Sequence, residues 1–132
     1  MFQSLGLRRE NGDEVTVLIV EDEFITRTAL AALLAGSGYR TEAVDSAEKA
    51  LALLSQGRCP QVALVDLDLP GMNGAEFISE LAERQPSTFP ILITAAGQDR
   101  VSRVLGPGVM HLRKPVDFQH LLNVIGSHSP AQ

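Results

Sequence analysis

Four apolar runs in this chain stop at residues that could do chemistry together. VTVLIV is followed by Glu21-Asp22, QVALV by Asp66, FPILI by Thr94, and VMHLR by Lys114. If these ends meet, three carboxylates share one crevice, where repulsion and lost hydration are costly. Either one of them keeps its proton or a cation neutralises them. An oxygen-only donor set with no histidine or cysteine beside it suits a hard ion, foremost Mg²⁺, which shares its positions with waters and phosphate oxygens. A lysine and a hydroxyl facing the same point complete an electrostatic clamp for a phosphoryl group in transfer. A carboxylate can itself be the nucleophile, giving an aspartyl-phosphate. In LVDLDLPGMNG, Asp66 and Asp68 are equal candidates by residue type alone.

The elements that must position these residues are legible from the pattern. VTVLIV and QVALVD are near-continuous apolar runs, as expected of strands buried on both faces. FPILIT and the short VMHL read as further strands, and the more alternating YRTEAV as one nearer an edge. Between them, Ile25, Ala29, Leu33 and Leu34 recur at helical spacing, ended by Gly36 and Gly38. In DSAEKALALL, Asp45 stands three residues before Glu48, a variant of the capping box, ahead of an Ala47, Ala50, Leu51 and Leu54 face. Asn73 can cap a helix carrying Phe77, Ile78 and Leu81. VDFQHLLNVI closes the chain with Phe118, Leu121, Leu122 and Ile125 on one face. Five alternations of strand and helix imply an α/β fold, a parallel sheet with helices on both sides. In such sheets sites form beyond the carboxyl ends of the strands, where strand order reverses. All the residues named first lie there.

Composition narrows the function classes. With 132 residues, 45% hydrophobic and 20% charged, the chain is one globular domain's worth. The net charge of −5 and the lack of a basic stripe argue against direct nucleic-acid binding. No apolar run is long enough for a membrane span. MFQSLGLRRENGDE lacks the order of a signal peptide, so a cytoplasmic location is expected. Cys59, the single cysteine, excludes an internal disulfide and a thiolate metal site, and reads as a semi-buried thiol. His111, His120 and His128 show no metal-ligand spacing.

VLIVEDE, ALVDLDLPGMNG, ILITA and LRKP, in this order, resemble the receiver domain of bacterial two-component response regulators. The resemblance runs from about Val15 to Ile125. It implies a five-stranded, doubly wound, flavodoxin-like sheet of order 2-1-3-4-5. The divisions it suggests are a flexible arm at 1–14, a receiver domain at 15–126 and a tail at 127–132. By resemblance, Asp66 is the phosphoacceptor, Asp22 and Asp66 are direct Mg²⁺ ligands, and Glu21 acts on the metal through water. Asp68 lends its backbone carbonyl to the metal while its side chain looks outward. Thr94 turns toward the phosphoryl group, Lys114 pairs with it, and Pro115 matches a proline often cis-linked to that lysine. Ala95 keeps room for the phosphoryl group. The implied partners are a sensor histidine kinase or histidine phosphotransfer protein as donor, then a downstream protein target or a second copy in a homodimer. The domain is not an enzyme in the turnover sense, but assists its own phosphorylation and dephosphorylation.

Two positions depart from the family pattern. His111 stands where a Tyr or Phe switch residue is usual, and Gly106-Pro107-Gly108 replaces a common Gly-Ala element in a slightly shortened segment. The fourth helix, Gln98 to Leu105, is therefore expected to be short or irregular. The second reading is a haloacid-dehalogenase-type phosphatase, whose Asp-x-Asp motif DLDL resembles. That motif follows the first strand, however, whereas this one follows the third and continues Leu-Pro. A third reading is a receiver-like adaptor that binds partners without being phosphorylated. GSHSPAQ after Ile125 leaves no output domain in this chain, so it reads as a stand-alone regulator or a piece of a larger one.

Overall fold

β-Branched and other apolar residues concentrate in the runs that become strands. The computed structural model describes residues 15–105 and 108–128. The expected arm at 1–14, residues 106 and 107 of the Gly-Pro-Gly element and tail residues 129–132 lie outside the described residues. The elements are β1 (Thr16–Val20), α1 (Phe24–Gly36), β2 (Arg40–Val44), α2 (Ala47–Ser55), β3 (Val62–Asp66), α3 (Gly74–Arg84), β4 (Phe89–Thr94), α4 (Gln98–Leu105), β5 (His111–Arg113) and α5 (Phe118–His128). All neighbouring strands pair in parallel, as the alternation predicts, in the order β2-β1-β3-β4-β5 that the resemblance implies.

Alternate side chains of each strand face opposite layers. Val17, Ile19, Leu64, Ile91 and Ile93 pack with Leu30 and Leu34 of α1 and with Leu121, Val124 and Ile125 of α5. Leu18, Val20, Ala63, Val65 and Leu92 pack on the other face, with α2, with Phe77, Ile78 and Leu81 of α3, and with Val101 of α4. β3 is buried throughout because it has a strand on each side and helices above and below. β2 is an edge strand, and its alternating sequence fits that place.

Several local expectations are corrected. α1 is apolar on more than one face, and the sheet takes the Leu30–Leu34 stripe. Ile25, 76% exposed, and Ala29 are left outside. Phe118 is likewise exposed, because Leu121, Val124 and Ile125 already fill the space under α5. The cap of α2 is Ser46 rather than Asp45: its side chain accepts the Lys49 N–H, while Asp45 pairs with the Lys49 ammonium at 3.0 Å. That ion pair holds the Asp45 carboxyl below its ordinary range. Cys59 is exposed rather than semi-buried, in the turn leading to β3. α4, by contrast, is short as expected, at eight residues. α5 continues to His128, so residues 127 and 128 belong to the last helix.

Candidate phosphoacceptor site

The chain runs from β1 outward to β2, then crosses back to β3 on the other side of β1. This reversal leaves the carboxyl ends of β1 and β3 side by side, with Val20 beside Val65. Glu21 and Asp22 therefore follow directly beside Asp66. Asp66 pairs in register with Ile93, which brings Thr94 one position further along. β5 returns the Lys114 N–H to the Thr94 carbonyl at 2.9 Å, and the Lys114–Pro115 peptide is cis.

The expected residues converge. One carboxylate oxygen each of Glu21, Asp22 and Asp66 lies within 4.8 Å of the others. Glu21, Asp66 and Thr94 are buried, whereas Asp22 is exposed at the mouth. The Lys114 ammonium stands 3.0 Å from Glu21 Oε1 and 3.5 Å from Asp66 Oδ2. Thr94 Oγ1 accepts the Ala96 N–H at 2.9 Å, which fixes its hydroxyl beside the loop after β4. The Asp68 N–H donates to Asp66 Oδ1 at 3.1 Å, so that oxygen is oriented by the backbone two residues along.

Burial dominates the electrostatics of Glu21 and raises its pKa; the nearby Asp66 charge adds to this, against the Glu23 N–H and Lys114. Burial also works against the Lys114 ammonium, but its close ion pair with Glu21 and the Asp66 charge outweigh it and raise its pKa. The lysine is thus firmly charged, and the crevice still holds more negative than positive charge. Glu21 Oε1 is buried and accepts no aligned hydrogen bond among the described residues, with only the ammonium as counter-charge at 3.0 Å. An all-oxygen donor set with surplus negative charge fits a hard divalent cation such as Mg²⁺. Glu21 Oε2 already accepts the Glu23 N–H at 3.0 Å, which suits contact through water more than direct ligation.

The Asp68 side chain looks outward, as expected, and has a partner that the sequence does not reveal. Its carboxylate is half exposed, but it is held by Arg100 of α4 at 2.8 Å. His111 opens β5, half-buried, beside a cavity of about 410 Å³ shared with Phe89, Met110 and His128, on the edge strand rather than among the acids. Two supporting residues escaped sequence reasoning. Glu48 of α2 accepts the Met72 N–H at 2.9 Å and so braces the loop after Asp66. Arg100 had no signal, since a lone arginine in a polar helix is usually solvated. Beside the site, Ile25, Ala29, Pro115 and Phe118 line an apolar groove of about 440 Å³ that Lys114 and Glu23 border.

Among the described residues no helix is long and apolar enough to cross a membrane. The family model for the response regulator receiver domain matches residues 17–126. Over 108 residues the chain is 40% identical to the two-component response regulator PhoP of Pseudomonas aeruginosa, covering 80% of this chain and 47% of that one. Over 113 residues it is 36% identical to the two-component response regulator ORR6 of Oryza sativa subsp. japonica, with 81% and 66% covered. The chain thus spans about half the length of the first relative. A solved receiver domain protein from Methanospirillum hungatei superposes with a TM-score of 0.76 at 26% identity, covering 86% of this chain and 91% of that one. A receiver protein from Sinorhizobium medicae, at 22% identity, TM-score 0.78 and coverage of 86% and 92%, shares the fold.

Proposed function

This chain belongs to the response regulator receiver domain family, and from that premise we propose that Asp66 accepts a phosphoryl group from a phosphohistidine. The receiver is a signalling domain, so the product is a modified protein and not a released small molecule. The observation that carries the reading is the position of Asp66: it ends a buried strand, with Lys114 at 3.5 Å and a second and third acid within 4.8 Å. A carboxylate oxygen of Asp66 attacks phosphorus, the phosphorus–nitrogen bond breaks as the oxygen–phosphorus bond forms, and the imidazole keeps the electron pair. Lys114 and the Thr94 hydroxyl hold the developing charge on the equatorial oxygens. Asp22, Asp66 and the Asp68 carbonyl, with Glu21 through water, would hold Mg²⁺. When bound, the ion neutralises charge on the transferring group.

The donor is a sensor histidine kinase or histidine phosphotransfer protein in the cytoplasm, and the apolar groove bordered by Lys114 offers it contact beside the reacting atoms. Phosphorylation then biases a two-state surface around α4, β5 and α5, read by a downstream protein or a second copy. Incubation with Mg²⁺ and acetyl phosphate should add the mass of one phosphoryl group, and Asp66→Asn should abolish the gain. No gain in the unsubstituted protein, or an equal gain in Asp66→Asn, defeats the reading; the first outcome would favour the unphosphorylated adaptor. Turnover of a phosphate monoester, lost in Asp68→Asn, would favour the phosphatase.

His111 acts in the switch by moving in the cavity it shares with Phe89 and His128. His111→Ala should leave the extent of phosphorylation unchanged. It should shrink the phosphorylation-dependent amide shifts of β5 and α5, as read by NMR. Undiminished shifts in that variant remove His111 from the switch.

A further inference from the structure

We infer that Arg100 is the residue through which α4 reads the state of Asp66, giving up part of its hold on Asp68 for the phosphoryl oxygens. The inference rests on Asp66 being the phosphoacceptor. Arg100 Nη2 lies 2.8 Å from Asp68 Oδ1 and Nη1 lies 3.4 Å from Oδ2, a two-pronged contact across 32 residues of sequence. The Asp68 N–H in turn donates to Asp66 Oδ1 at 3.1 Å. A short chain of contacts therefore links the phosphoacceptor, the loop after it and the side of α4.

Little apolar burial anchors α4 among the described residues. Among its described side chains Val101 alone is buried, and Val104 is 45% exposed. Arg100 and Asp68 are each about half exposed, and ion pairs of that kind are weakly held and easily exchanged. An aspartyl-phosphate carries about −1.5 to −2 charge near pH 7 in place of the single charge of the carboxylate, and its acceptor oxygens reach further out and suit a planar guanidinium fork. Arginine has five N–H donors, so it can reach the new oxygens without fully releasing the old ones. A neighbouring point charge could not bridge both groups in this way. The effect is to draw α4 toward the modified loop.

The test uses the full chain with Mg²⁺ and acetyl phosphate, read by intact mass and by hydrogen–deuterium exchange over α4. In the unsubstituted protein, phosphorylation should slow α4 exchange by about three-fold or more. Arg100→Gln should reach the same final mass gain while losing the slowing, and Arg100→Lys should recover little of it. Asp68→Asn separates a reader from a structural pair: α4 should exchange faster before phosphorylation yet slow fully after it, because Arg100 is still present. The inference is overturned if Arg100→Gln slows normally, or if Asp68→Asn and Arg100→Gln lose the response alike. Absence of mass gain in the unsubstituted protein overturns the phosphoacceptor reading and this inference together, and the mass measurement makes that outcome distinct.

Discussion

Lys114→Ala is expected to slow phosphorylation of Asp66 by about 10²–10³-fold at saturating Mg²⁺, the usual cost of removing one charge-stabilising group from a preorganised site. The ammonium now sits 3.5 Å from the Asp66 carboxylate and 3.0 Å from Glu21, held by β5 through the Thr94 carbonyl. It therefore needs little rearrangement to meet charge developing on the transferring group. Its loss has a second, opposite consequence. Glu21 and Asp66 lose their shared counter-charge, so the crevice becomes more negative and should bind Mg²⁺ more tightly. Slower transfer together with tighter cation binding is a signature that a merely unfolded or misfolded variant would not give. The rate is read as mass gain against time with acetyl phosphate, and the affinity by titration calorimetry. A rate within ten-fold of the unsubstituted protein would show that Lys114 does not face the phosphoryl group during transfer.

The parts of the molecule legible in the sequence are those set by burial. VTVLIV and QVALVD leave no polar face, so they can only be central strands, and the β1–β3 crossover then brings Glu21, Asp22 and Asp66 together. Asn73 was legible for a local reason: its side chain accepts the Glu76 N–H at 2.9 Å, and the Glu76 carboxylate returns to the Asn73 N–H at 3.0 Å. What remained hidden depended on choices made elsewhere in the fold. α1 carries two apolar stripes, and only the sheet decides that Leu30 and Leu34 go inside while Ile25 stays out. Glu48 looked like half of a capping pair because the spacing fits, but a loop 24 residues away offers it the Met72 N–H. Arg100 and Asp68 meet across 32 residues, a distance no local pattern reports.

Gly74→Ala should destabilise the fold by about 1–3 kcal/mol and lower Tm by roughly 3–15 °C, although alanine is the better helix former. The first turn of α3 is pressed against the end of β3, with the Gly74 N–H donating to the Leu67 carbonyl at 3.0 Å. A Cβ on Gly74 would lie 2.3 Å from the Asp66 carbonyl oxygen and 2.8 Å from Leu67 Cα, and both are backbone atoms that cannot turn aside. Either α3 retreats and loosens the Asn73–Glu76 cap, or the end of β3 moves and takes Asp66 with it. The second response carries function. A displacement near 1 Å at a reacting group can cost about 10²-fold in rate, so phosphorylation should fall more than ten-fold even well below the lowered Tm. Gly126→Ala is the matched control, since a Cβ there meets nothing within 4 Å and a helical site should gain about 0.5–1 kcal/mol. Calorimetric Tm values with mass-gain rates on both variants check the pair. If Gly74→Ala instead keeps its Tm and its rate, the backbone at Asp66 yields without cost, and the close approach of α3 does not position the phosphoacceptor.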